Sequence, residues 1–134
     1  MNFTWTNINI LVVEDDPFMR EMLSMILEDE GATVHCAENG EKAKEVLQEM
    51  PVDIVVSDVQ MPVCDGVDLL KWVKEHYSDK PLVFLATGFA DITEEDAISL
   101  GAEAVIKKPF EADTMVQYLS DSFEKLTEIE KIGA

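Results

Sequence analysis

Ile54-Val55-Val56-Ser57-Asp58-Val59-Gln60-Met61-Pro62 drives an apolar run into a carboxylate and then into a proline. Successive strand residues point to opposite faces, so a run apolar at both parities belongs to a strand buried on both sides, the mark of a parallel sheet covered by helices. A bare carboxylate at the tip of such a strand needs a partner, because an ion beside apolar surface is costly unless paired.

The segments on either side repeat the pattern. Ile8 to Val13 is a strand, followed by Phe18, Met22, Met25 and Ile26 at helical spacing, with Met19, Met22 and Met25 read as core filler. Asp16 before Pro17 reads as a helix N-cap. Thr33 to Cys36 is a second strand, and Asn39-Gly40 opens a helix carrying Ala43, Val46, Leu47 and Met50. The third strand spans Val52 to Ser57, and its helix bears Leu69, Leu70, Trp72 and Val73. Leu82 to Ala86 and Ala104 to Ile106 are the fourth and fifth strands, with a weaker helix from Ile92 to Leu100 between them. Ala112, Met115, Val116, Leu119 and Phe123 form the stripe of a closing amphipathic helix. Five βα units predict a doubly wound α/β domain: a five-stranded parallel sheet with helices on both faces. Residues 8–126 form that domain, 1–7 a leader containing Trp5, and 127–134 a tail or helix extension, with fraying favoured.

The chain has 134 residues, 47% apolar, and a formal charge of −18 from 28 acidic and 10 basic side chains. That balance repels nucleic-acid phosphates and anionic membranes, so a protein partner is expected and direct nucleic-acid or membrane binding is not. The sequence shows neither a spanning apolar run nor signal-peptide character, and a cytoplasmic location is expected. Cys36 and Cys64 lack metal or redox spacing, and His35 and His76 are isolated.

In doubly wound sheets chemistry gathers outside the carboxyl ends of the strands, beside the point where strand order reverses. Those ends carry Glu14-Asp15-Asp16, Asp58, Thr87-Gly88 and Lys107-Lys108-Pro109. Carboxylates about 4 Å apart repel by roughly 4 kcal/mol per pair at an effective dielectric near 20, which a divalent cation relieves. Few carboxylates, a carbonyl such as that of Gln60, and water suit Mg2+. One oxygen of Asp58 is then left to attack phosphorus, with Lys108 stabilising phosphoryl charge and Thr87 donating its hydroxyl.

Glu14-Asp15, Ser57-Asp58 followed by Met61-Pro62, Thr87, and Lys108-Pro109-Phe110 resemble, in order and spacing across residues 8 to 125, the receiver domain of two-component response regulators. The resemblance implies a flavodoxin-like sheet of order 2-1-3-4-5, a cis peptide at Lys108-Pro109, and Asp58 as phospho-acceptor. It further implies Glu14 and Asp15 as magnesium ligands, Thr87 as the switch hydroxyl and Lys108 as the phosphate contact. The phosphoryl donor is then a histidine kinase or phosphotransfer protein, and the output face is the fourth helix, fifth strand and fifth helix. A homodimer stays open, as does whether the chain acts alone or as part of something longer. Val105 stands where many receivers carry Tyr or Phe, which puts an aromatic rotamer switch in doubt and points to movement of the Thr87 loop and fourth helix instead. Phe89 supplies bulk near the pocket mouth or merely packs.

The residues speak against three rivals. A hydrolase of the haloacid dehalogenase type usually needs a second Asp at position 60, where this chain has Gln. A degenerate receiver conflicts with the complete set Glu14, Asp15, Asp58, Thr87 and Lys108. A flavodoxin-like cofactor binder lacks a phosphate-cradling glycine loop and meets an acidic rim.

Overall fold

The alternation seen in the sequence is realised as β1 (Asn9–Val13), α1 (Pro17–Asp29), β2 (Thr33–Ala37), α2 (Gly40–Glu49), β3 (Ile54–Asp58), α3 (Gly66–His76), β4 (Leu82–Thr87), α4 (Glu94–Ser99), β5 (Ala104–Lys107) and α5 (Ala112–Gly133). The structure, a computed structural model, describes residues 4–88, 92–108 and 111–133, with side chains through residue 125. The expected cis peptide at Lys108-Pro109, and Phe89, lie outside the described residues; a cis peptide is present at Lys80-Pro81. The sheet is parallel throughout and ordered β2-β1-β3-β4-β5.

Strand alternation divides the core in two. Leu11, Val13, Val55, Val83, Leu85 and Val105 face α2, α3 and α4, packing on Ala43, Leu47, Leu69, Leu70, Val73 and Ala97. Ile10, Val12, Ile54, Val56, Leu82, Phe84 and Ile106 face α1 and α5, packing on Leu23, Leu27, Met115, Leu119 and Phe123. The central strand β3 is apolar at both parities because each parity belongs to a different core.

Helix starts follow their caps. Asp16 accepts from the Phe18 amide at 2.9 Å with Pro17 in the first turn, and Asn39 accepts from Lys42 at 2.9 Å. Thr93 accepts from the Asp96 amide at 3.0 Å, so α4 starts only at Glu94 and is shorter than its apolar spacing suggests.

Three expectations need correction. The buried face of α1 is Leu23, Ser24 and Leu27, while Phe18, Met22 and Met25 are exposed by 85%, 44% and 61%. This helix carries apolar residues nearly all round, so two stripes compete, and the sheet takes the Leu23/Leu27 pair. Trp5 is buried in the α1/α5 core rather than lying in a loose leader. A turn closed by the Ile8 amide on the Trp5 carbonyl at 3.1 Å, with Asn7 at φ 68°, folds the chain so that the Trp5 Cβ lies beside Gly31. Helix α5 runs on to Gly133, through residues where fraying was favoured.

A candidate phosphoryl-acceptor site at the sheet switch point

Strand β1 pairs with β2 on one edge and β3 on the other, and Val13 stands in register with Ser57. One residue further on, Glu14 and Asp58 therefore emerge side by side, and Asp15 follows at the mouth of the loop. Oxygens of Glu14, Asp15 and Asp58 lie within 4.8 Å of one another. The register of β3 with β4 sets Asp58 opposite Ala86, which puts Thr87 next along the rim. Strand β5 brings Lys107 alongside Thr87, and the Lys108 amide donates to the Thr87 carbonyl at 2.9 Å.

Lys108 Nζ lies 3.3 Å from Glu14 Oε2 and 3.4 Å from Asp58 Oδ1. These side chains are 18%, 4% and 13% exposed respectively, so the pairs are shielded from water and stronger than surface pairs. Asp58 Oδ1 also accepts from the Val59 amide at 2.9 Å. Burial pushes the Glu14 carboxyl above its ordinary range, the charge on Asp58 pushes it further, and Lys108 offsets part of both. The cluster thus holds more negative charge than one ammonium neutralises.

Beside it a cleft of about 610 Å³ is lined by Asp15, Val59, Gln60, Met61, Pro62, Asp65 and Val67. Asp65 caps α3 through the Asp68 amide at 2.8 Å. Gly66 donates to the Val59 carbonyl at 2.9 Å, and a Cβ there would be driven into the Asp58 carbonyl oxygen. Across the rim, Thr87, Gly88, Ile92, Thr93, Glu94, Val105, Lys107 and Lys108 line a second cleft of about 580 Å³.

Glu14, Asp15, Asp58 and Lys108 come together at the rim, while Thr87 and Gln60 line the flanking clefts; Pro109 lies outside the described residues. Sequence reasoning overlooked Arg20, whose Nη1 donates to the Glu14 carbonyl at 2.9 Å, and the close approach at Gly66. Arg20 gave no signal, since a lone arginine on a helix reads as solvated surface. Gly66, the residue after an Asp cap, was a usable one. His76 packs on Trp72 at 4.4 Å between ring centroids, away from any metal-ligand cluster among the described residues.

Fold and rim together define the class: a flavodoxin-like α/β domain with an acidic site at its switch point and a lysine across it. The sequence pattern of the response regulator receiver domain matches residues 10–120, and the chain belongs to that family, the receivers of two-component systems. It is 32% identical over 112 residues to the chemotaxis protein CheY of Halobacterium salinarum, covering 84% of this chain and 93% of that one. It is 36% identical over 107 residues to the regulatory protein AtoC of Escherichia coli, covering 79% of this chain but only 23% of AtoC. Among solved structures, NtrX of Brucella abortus superposes with a TM-score of 0.85 at 27% identity, over 93% of this chain and 28% of that one. CheY4 of Vibrio cholerae gives 0.76 at 27% identity, over 90% and 99%. No helix among the described residues is long and apolar enough to cross a membrane.

Proposed function

We propose that residues 8–126 act as a phospho-acceptor that takes a phosphoryl group onto Asp58 from a histidine kinase or phosphotransfer protein. The observation that carries this reading is the convergence of Glu14, Asp15 and Asp58 within 4.8 Å, with Lys108 bonded to the first and last of them. The donor set is all oxygen, which fits Mg2+ and disfavours softer metals. Glu14, Asp15, Asp58 and the Gln60 carbonyl would hold it, and when bound it supplies positive charge against the phosphoryl oxygens.

The protein's own groups do the rest. The free oxygen of Asp58 attacks phosphorus, forming an O–P bond as the bond from phosphorus to the donor's imidazole nitrogen breaks and its electron pair returns to the ring. Lys108 shifts from Asp58 to a phosphoryl oxygen, and Thr87 donates its hydroxyl to another. Gln60 offers no acid or base for attacking water, which favours a signal over rapid turnover. Drawing Thr87 and Lys108 inward biases the β4–α4 and β5–α5 connections, a population shift read on α4, β5 and α5 by a protein partner. With Val105 in β5 where an aromatic switch residue would stand, the shift runs through the Thr87 loop and α4 rather than an aromatic rotamer. The acidic charge of −18 supports a protein partner rather than nucleic acid.

Incubation with acetyl phosphate and Mg2+ tests this reading. The expected result is a labile adduct on Asp58 that is absent in Asp58→Asn and without Mg2+. Sustained phosphate release from generic esters would indicate a hydrolase instead.

A further inference from the structure

We propose that Arg20 is a positioning residue for the cation site, holding the Glu14–Asp15 peptide so that both carboxylates face the rim; this rests on the magnesium-dependent reading above.

The β1–α1 junction places three acidic residues in succession, Glu14, Asp15 and Asp16, whose mutual repulsion favours splaying the loop. Each end is tied down: the Glu14 amide donates to Ala37 on β2 at 3.0 Å, and Asp16 caps α1 through Phe18. Between those ties lies the peptide joining Glu14 to Asp15, and its carbonyl accepts from Arg20 Nη1 at 2.9 Å. A peptide unit is a rigid plane, so fixing that oxygen also fixes the nitrogen and the Cα direction of Asp15. Arg20 is itself held in α1, its amide donating to Asp16 at 2.9 Å and its carbonyl accepting from Ser24 Oγ at 2.8 Å.

Arg20 and Lys108 are both cations on Glu14, yet they bind different parts of it. Lys108 sits on the carboxylate oxygens of Glu14 and Asp58 that a metal would use, and so competes with it. Arg20 sits on the main-chain oxygen and leaves every candidate ligand oxygen open. Its two influences on a cation have opposite signs: its charge opposes binding, and its hydrogen bond organises the ligands. We assign the larger share to organisation, because the outer partner of a ligand typically changes metal affinity by about 10- to 100-fold.

The test is Arg20→Met in the full chain, which keeps the aliphatic stem and removes donor and charge together. Mg2+ is titrated by calorimetry, and the rate of Asp58 labelling by acetyl phosphate is followed against Mg2+. The expected result is Mg2+ binding about 10-fold weaker, with the half-saturating Mg2+ for labelling raised equally, the rate at saturating Mg2+ unchanged, and the urea midpoint in chelator close to wild type. Affinity equal to or tighter than wild type overturns the proposal, as does a loss of saturating rate with no change in affinity. A wild-type protein that binds no Mg2+ overturns the magnesium reading as well, which separates the two failures.

Discussion

Lys108 reaches across the rim to Asp58, its Nζ 3.4 Å from Oδ1, although β5 and β3 are not neighbours in the sheet and β4 runs between them. The same ammonium bonds Glu14 Oε2 at 3.3 Å. It supplies the cationic charge between two shielded carboxylates.

Lys108→Ala should therefore separate binding from chemistry. Removing the competing ammonium tightens Mg2+ binding several-fold. Losing its contact to the transferring group slows labelling of Asp58 by acetyl phosphate by at least about 10-fold at saturating Mg2+. Calorimetry and intact-mass kinetics on the same sample check both. Weaker Mg2+ binding would show that Lys108 organises the carboxylates rather than competing for them.

Glu14→Gln should stabilise the metal-free protein at neutral pH by about 1 kcal/mol, because it removes a buried charge facing Asp58 while leaving an oxygen for Lys108. The pH dependence follows from the raised carboxyl. Between its unfolded value near 4.5 and its higher folded value, the native state binds the extra proton, so this group's contribution to stability falls as pH rises through that window and is fullest below it. The variant loses that component. It should also lose most of the rise in melting temperature that Mg2+ gives the wild type, measured with and without chelator.

Gly66→Ala should destabilise by about 1–3 kcal/mol, since a Cβ there is driven against the backbone carbonyl of Asp58, which cannot yield without disturbing β3. Urea unfolding gives the number. Slower labelling of Asp58 at pH and Mg2+ where the variant is fully folded would show that the acceptor moved with its carbonyl.

On α1, Leu27→Ala should cost about 2–5 kcal/mol while Met25→Gln stays within about 0.5 kcal/mol of wild type. Leu27 is fully buried and Met25 is 61% exposed. Equal losses would mean that the helix presents its other apolar stripe to the sheet.

Much of this architecture was legible in the residues. The double parity of Ile54 to Ser57 announced a two-sided sheet, and the caps Asp16 and Asn39 announced two helix starts. The carboxylates of Glu14 and Asp58 follow from register once strands one and three are neighbours, but that adjacency is a tertiary fact which spacing alone leaves open. The exposed stripe of α1 misled for a related reason: Phe18, Met22 and Met25 have helical periodicity, and periodicity does not say which of two apolar faces a sheet will take. Trp5 was misplaced because a single aromatic before a strand carries no period, and only the left-handed Asn7 turn folds it inward. Arg20 was invisible because its work is done on a main-chain oxygen, and no side-chain motif records such a bond.

Val56 and Ser57 are clamped between strands on both edges and roofed by helices above and below, so the tip at Asp58 rides on the stiffest beam of the molecule. A load applied there has little room to be absorbed locally. The sheet's margins are looser: β2 and β5 are each tethered along one border only, and a stubby six-residue α4 precedes β5. If Asp58 takes a phosphoryl group as proposed, a displacement at that tip is expected to surface at these margins rather than be dissipated in place.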